Sequence, residues 1–301
     1  MKATTAIQRV LINSQRGAPR ARAPRVDRAP QRERMPTASF RNAAGSRSYS
    51  LYLPPEYATR GMPLVVMLHG CKQNPEDFAA GTRMNRLADR LGFAVLYPAQ
   101  SHAANVSGCW NWFQPEHQRR EGEPSLIAGI TQHVIARHGL DAKRVYVAGL
   151  SAGGAMAAVM GNAYPELYAA MGIHSGLGYA AASDLPSAFA AMRGKSSGNA
   201  RLASAPAIPT IVFHGDGDTT VHPSNGEHRV MGTLEKIEKG ETNGRSFTRT
   251  THTNGDGRTL LEHWLVHGAG HAWSGGSPSG SYADPSGPDA SREMLRFFMQ
   301  S

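Results

Sequence analysis

A serine set between glycines, Gly149-Leu150-Ser151-Ala152-Gly153, lies at a junction that leaves this chain few ways to fold. Before it runs Arg144-Val145-Tyr146-Val147-Ala148, short, β-branched and apolar; after it comes Gly154-Ala155-Met156-Ala157-Ala158-Val159-Met160, small and helix-forming. Strand, tight turn and helix around G-x-S-x-G is the context in which a serine hydroxyl is thrust out at the end of a sheet as a nucleophile. The glycines fit a strained turn whose neighbouring backbones approach too closely to admit a Cβ. The same five letters also arise as an ordinary Gly/Ser turn, so the reading depends on whether chemical partners occur further along the chain.

A serine needs a base, an orienting acid and an oxyanion site. In this kind of arrangement the acid and then the histidine come after the nucleophile in chain order. Ile208-Pro209-Thr210-Ile211-Val212-Phe213-His214 is an apolar strand that runs into Gly215-Asp216-Gly217-Asp218. Asp218, at the far end of the loop, is the favoured acid, and Asp216 the turn-former. Of the thirteen histidines, His263 and His267 fall in an alternating apolar segment and read as strand residues. His271 lies beyond that segment in a glycine-flanked loop and is the expected base. An early buried-strand pattern, Pro63 to Leu68, ends in His69-Gly70-Cys71-Lys72-Gln73. This His-Gly turn resembles the loop that supplies one oxyanion N–H in α/β-hydrolases, the other coming from the residue after the nucleophile. The expected donors are the amides of Cys71 and Ala152, with His69 bracing the loop.

These pieces, with Cys109-Trp110-Asn111-Trp112-Phe113, His174-Ser175-Gly176 and Gly270-His271-Ala272-Trp273-Ser274-Gly275-Gly276, resemble the poly(3-hydroxybutyrate) depolymerase family of esterases, which includes feruloyl and acetyl-xylan esterases. They span about residues 45–300 in the family's order. The resemblance implies one α/β-hydrolase domain with Ser151, Asp218 and His271 as triad, and a site without a large lid. No signal peptide or polymer-binding module is recognisable, so soluble oligomers or amorphous material are expected over crystalline polymer.

The rest of the chain agrees with an α/β fold, a mostly parallel central sheet flanked by helices. Strands are expected at 47–53, 63–68, 92–97, 143–148, 169–174, 209–214 and 259–266, and helices at 76–90, 123–138, 152–163, 222–238 and 287–299; residues 178–207, rich in Ala, Ser and Gly, give no clear pattern. Of the formal charge of +9, residues 1–45 hold +8 and the remainder +1. Residues 1–45 are therefore expected to form a disordered basic tail dense in Arg, Pro and Ala, and 46–301 the catalytic domain. No apolar run is long enough to span a membrane.

Cys71 and Cys109 are the only cysteines. The two motifs belong together in the family, which favours a disulfide fixing the oxyanion loop and an extracellular or periplasmic setting. The alternative is two buried thiols in a cytoplasmic protein. Trp110, Asn111, Trp112 and Trp273 are candidate substrate contacts: Trp273 is expected to wall an acyl pocket, and at most one of Trp110 and Trp112 to face it. No cofactor is implied, no zinc-type spacing occurs, and a monomer is expected. The leading function is hydrolysis of polyhydroxyalkanoate polymer or oligomers through an acyl-enzyme. The alternatives are a feruloyl or acetyl-xylan esterase and, from another class, a non-catalytic binder whose tail holds nucleic acid or lipid.

Overall fold

A computed structural model describes residues 35–55, 58, 60–195, 207–227 and 230–301. The apolar runs seen in the sequence become strands buried on both faces: β3 (Leu64–Leu68), β4 (Ala94–Pro98), β5 (Val145–Leu150), β6 (Ala170–His174) and β7 (Thr210–Gly215). Such runs read as continuous rather than alternating because helices cover both sides of the sheet. Around them lie β1 (Thr37–Asn42), β2 (Gly45–Tyr52), β8 (Leu234–Thr242), β9 (Arg245–Thr253) and β10 (Thr259–Val266), giving the order β1-β2-β4-β3-β5-β6-β7-β10-β9-β8. From β4 to β10 all pairings are parallel, and antiparallel strands close each flank.

Successive side chains of a strand point to opposite faces, and the core divides accordingly. Leu64, Val66 and Leu68 pack with α3 (Gly122–His138), α4 (Ala152–Ala163) and α5 (Leu185–Met192). Val65 and Met67 pack with α1 (Pro75–Thr82), α2 (Met84–Leu91) and α6 (Ala290–Phe298). A small parallel pair, β11 (Trp273–Ser274) and β12 (Ala283–Asp284), lies between β10 and α6 in the chain.

Three elements differ from the sequence expectation. The helix expected at 76–90 is broken at Arg83, whose backbone is left-handed (φ 56°). Its guanidinium donates to the Gly275 carbonyl and pairs with Asp289, a tertiary tether that no local pattern reveals. Among the described residues of 222–238 the expected helix does not form. A single 3-10 turn occupies Pro223–Asn225, and β8 then forms a hairpin with β9 through Asn243 and Gly244, both with positive φ. Asn-Gly between two such segments is a strong hairpin signal. β1 lies inside the segment assigned to the tail, paired residue for residue with β2; residues 1–34 are outside those described. Among the described residues, no helix is long and apolar enough to cross a membrane.

The turn from β5 to α4 places Ser151 at φ 57°, ψ −120°. Its glycines are a steric necessity. A Cβ on Gly153 would stand 2.0 Å from the Leu68 carbonyl oxygen, and one on Gly149 would stand 2.3 Å from Gly153. Gly153→Ala is therefore expected to cost more than about 3 kcal/mol or prevent folding. Gly255→Ala, where a Cβ meets nothing within 4 Å, should change stability by less than about 0.5 kcal/mol. Urea denaturation of the two variants checks this.

Candidate active site

The three residues singled out by the sequence arrive on loops at the carboxyl ends of β5, β7 and β10. The His271 Nδ1–H donates to Asp218 Oδ2 at 2.7 Å, leaving Nε2 as the basic nitrogen. Asp218 Oδ1 accepts the amides of Thr220 and Val221, each at 2.9 Å. His214, fully buried on β7, donates Nε2–H to the Val221 carbonyl at 2.9 Å and lies 3.5 Å from Asp218 Oδ2. Burial alone would raise the Asp218 pKa, but donation from His214, His271 and the Val221 amide outweighs it and holds the carboxylate well below its ordinary range.

Asp216, two residues earlier, takes a different partner. Its Oδ2 accepts from His267 Nδ1 at 2.8 Å and its Oδ1 accepts the Gly268 amide. His267 Nε2 in turn meets the Thr248 hydroxyl at 2.9 Å. Loop and strand are thereby pinned on the surface, while Asp218 turns inward. The two loops also touch directly, since the Gly217 amide donates to the Ala269 carbonyl at 3.0 Å.

His174, at the end of β6, ties these loops to the serine. Its carbonyl accepts the Ser151 amide at 2.9 Å, and its Nε2 accepts the amide of Ser274, three residues past His271, also at 2.9 Å. Nδ1 therefore carries the proton and faces the Ser175 hydroxyl at 3.2 Å. The ring is stacked against Trp273 and Phe213. Complete burial, aided by the neighbouring His214 and His271, pushes its pKa down to about 3. The sequence showed His174 only as part of a motif, without a role.

The loop after β3 runs beside Ser151: a Cβ on Gly70 would lie 3.6 Å from the Ser151 Cβ. Here the Gly70 amide is taken by Gln73 Oε1, the Lys72 amide by the Ser107 carbonyl, and the Gln73 amide by the Gly70 carbonyl. The Cys71 amide between them has no acceptor among the described residues. Ala152, first residue of α4, has no intrahelical acceptor either. His69 braces the loop from below: its Nδ1 donates to the Gly70 carbonyl and its Nε2 accepts the Gln100 amide. Burial lowers its pKa.

Cys71 and Cys109 are joined in a disulfide, with Cα atoms 4.2 Å apart. A buried carboxylate holds the Cys109 side of this link. Glu123 accepts from the Asn111 amide and Nδ2, each at 2.8 Å, from Gln100 Nε2, and from Arg47 at 3.4 Å. Gln100 Nε2 also donates to the Cys109 carbonyl. Sequence reasoning missed this network because its members are far apart in the chain. The aromatic candidates are equally internal. Trp110 is fully buried and donates to the His69 carbonyl, and Trp112 meets Phe113 edge-on. Trp273, expected at the wall of an acyl pocket, is 1% exposed, donates to Ser291 Oγ and meets Phe78 edge-on.

The family model described as "Esterase PHB depolymerase" matches residues 47–240. The chain belongs to this family. Poly(3-hydroxyalkanoate) depolymerase C of Paucimonas lemoignei is 32% identical over 231 residues, 69% of this chain and 54% of that protein. Feruloyl esterase B of Thermothelomyces thermophilus is 27% identical over 245 residues, 73% of this chain and 82% of that one. The chain thus spans about half the depolymerase's length. Among solved structures, an acetyl xylan esterase from Aspergillus awamori superposes with a TM-score of 0.65 at 21% identity, covering 85% of this chain and 94% of its own, a likeness of fold. The mostly parallel sheet flanked by helices described above is thus an α/β-hydrolase fold.

The position of His174 has two measurable consequences. On the activity proposed below, His174→Leu, which removes the acceptor for Ser274, should lower kcat for a chromogenic ester roughly tenfold to a hundredfold with KM nearly unchanged; His174→Gln, which retains an acceptor, should recover most of it. Because the folded pKa lies below the unfolded value of about 6.5, the unfolded chain binds the proton first on acidification. Wild-type stability should fall as the pH drops from about 6.5 toward 3, and the Gln variant should show a shallower slope in pH-dependent urea melts.

Proposed function

We propose that this chain is a serine-dependent carboxylic-ester hydrolase. The observation that carries the reading is the 2.7 Å bond from His271 to Asp218, on loops tethered through His174 to the strained turn bearing Ser151. In this reading His271 Nε2 takes the Ser151 proton as Oγ attacks the ester carbonyl. Asp218 keeps the imidazole in the Nδ1–H tautomer and stabilises its charged form. The free amides of Cys71 and Ala152 receive the tetrahedral oxyanion, each worth about 3–4 kcal/mol by analogy with measured oxyanion holes. His271 returns the proton to the leaving alcohol, and water repeats the sequence on the acyl-enzyme to release the acid.

The substrate class we favour is a 3-hydroxyalkanoate polyester or its oligomers, supported by the family match and by the identity to the Paucimonas depolymerase. A second reading, cleavage of feruloyl or acetyl esters on xylan, is supported by the 82% of the Thermothelomyces feruloyl esterase that the chain spans.

Ser151→Ala is expected to abolish hydrolysis of a chromogenic short-chain ester; wild-type activity in that variant sinks the reading. Asp218→Asn should lower kcat by about 10⁴ through the wrong imidazole tautomer, whereas Asp216→Asn should change it by less than about tenfold. A panel of hydroxybutyrate oligomers, feruloylated arabinoxylan and acetylated xylan ranks the substrates by kcat/KM.

A further inference from the structure

β8 ends the ten-stranded sheet, so one side of its backbone has no neighbouring strand among the described residues. Such an edge is a template for another strand. This one also carries apolar side chains without cover: Leu234 is 74% exposed and Ile237 57%. From the pattern Leu234-Glu235-Lys236-Ile237-Glu238-Lys239-Gly240-Glu241-Thr242 we infer that the edge pairs with the β8 strand of a second copy of this chain, forming a two-fold dimer with a continuous sheet.

The register is set by symmetry. In an antiparallel pair, directly opposed side chains lie on the same face. A two-fold axis normal to the sheet preserves faces, so each residue must oppose one of the same parity along the strand. Centring the axis on Glu235, Lys236, Glu238 or Lys239 sets a like charge against itself. Centring on Gly240 pairs only Lys239 with Glu241 within the strands and carries Ile237 out to the Asn243 turn. Centring on Ile237 sets Ile237 against its own copy, Glu235 against Lys239, and Lys236 against Glu238, each charge pair occurring twice.

The flanking contacts fit that register. Leu234 falls opposite Gly240, whose missing Cβ leaves room: a Cβ there would stand 2.7 Å from the Phe247 ring of β9. Leu234 then lies beside Gly240 and Phe247 of the second copy. On the same face Glu238 already accepts from Arg249 across the hairpin, and Lys236 pairs with Glu238 at 2.9 Å. Adding the second copy extends this into an alternating row of charges. Opposed charges and an apolar centre distinguish this edge from one protected by a run of like charges.

A strand-to-strand contact of this length is at the small end of protein interfaces. Dimerisation of the full chain should therefore depend on concentration within about 1 to 500 µM by sedimentation velocity. Glu235→Lys, which creates two like-charge pairs per dimer, should weaken association about tenfold, and Glu235→Lys with Lys239→Glu should restore it. Ile237→Cys should cross-link into a covalent dimer under mild oxidation, because the two Cβ atoms face each other across the axis. A wild-type chain that sediments as a monomer throughout, a double variant no tighter than Glu235→Lys, or an Ile237→Cys chain that fails to cross-link overturns the inference. None of these outcomes bears on what Ser151 attacks, since β8 lies outside the candidate active site.

Discussion

The Ser151 amide donates to the carbonyl of His174, and the imidazole of the same residue accepts the amide of Ser274. Through these two bonds one buried residue at the end of β6 holds the turn that carries Ser151 by its backbone carbonyl and the loop that carries His271 by its imidazole. A neutral imidazole is the right group for this position. It has an acceptor nitrogen for one loop, a donor nitrogen for Ser175, and flat faces that stack on Trp273 and Phe213. Burial keeps it neutral, because a charge there would be desolvated.

Around that centre, hydrogen bonds to some buried polar groups leave particular atoms available, and His214 Nδ1 has no partner among the described residues. The amides flanking Cys71 all have acceptors, while the Cys71 amide has none among the described residues. Asp218 is saturated with donors and so stays ionised inside the protein. The Glu123 network holds the Cys109 segment, which the disulfide ties to the loop after β3. In the proposed hydrolysis, rigidity of this kind costs little, because dipoles fixed beforehand need no reorganisation as charge develops.

Much of this was legible in the sequence where local pattern and tertiary context agree. Each strand expected between 47 and 266 is present within a few residues; the inner ones were readable because parallel strands buried on both faces are apolar runs between turn residues. The expectations that failed are those where tertiary contacts or turn chemistry prevail. The break at Arg83 comes from its tether to Gly275 and Asp289, about two hundred residues away. The segment 222–238 has helical composition in its Glu and Lys content, yet β8 is held by nine residue pairs with β9 and by the Asn243-Gly244 turn. Trp273 stood two residues from His271 and suggested a pocket wall; only packing shows its ring inside, against Phe78 and His174.

By itself the sequence determined the Gly149–Gly153 turn around Ser151, its order relative to Asp218 and His271, and the parallel sheet that presents them. Those features are written in short stretches whose residue types are dictated by backbone geometry: glycine where a carbonyl lies within 2.0 Å of a Cβ, aliphatic residues where both faces are buried. Only the tertiary structure decided that Asp218 faces His271 while Asp216 faces His267, and that His174 links the Ser151 turn to the loop of His271. The two aspartates are chemically identical and two residues apart, so what separates them is which donors the fold brings to each. That information resides in contacts between β7, the loops after β10 and the end of β6, which no local pattern contains.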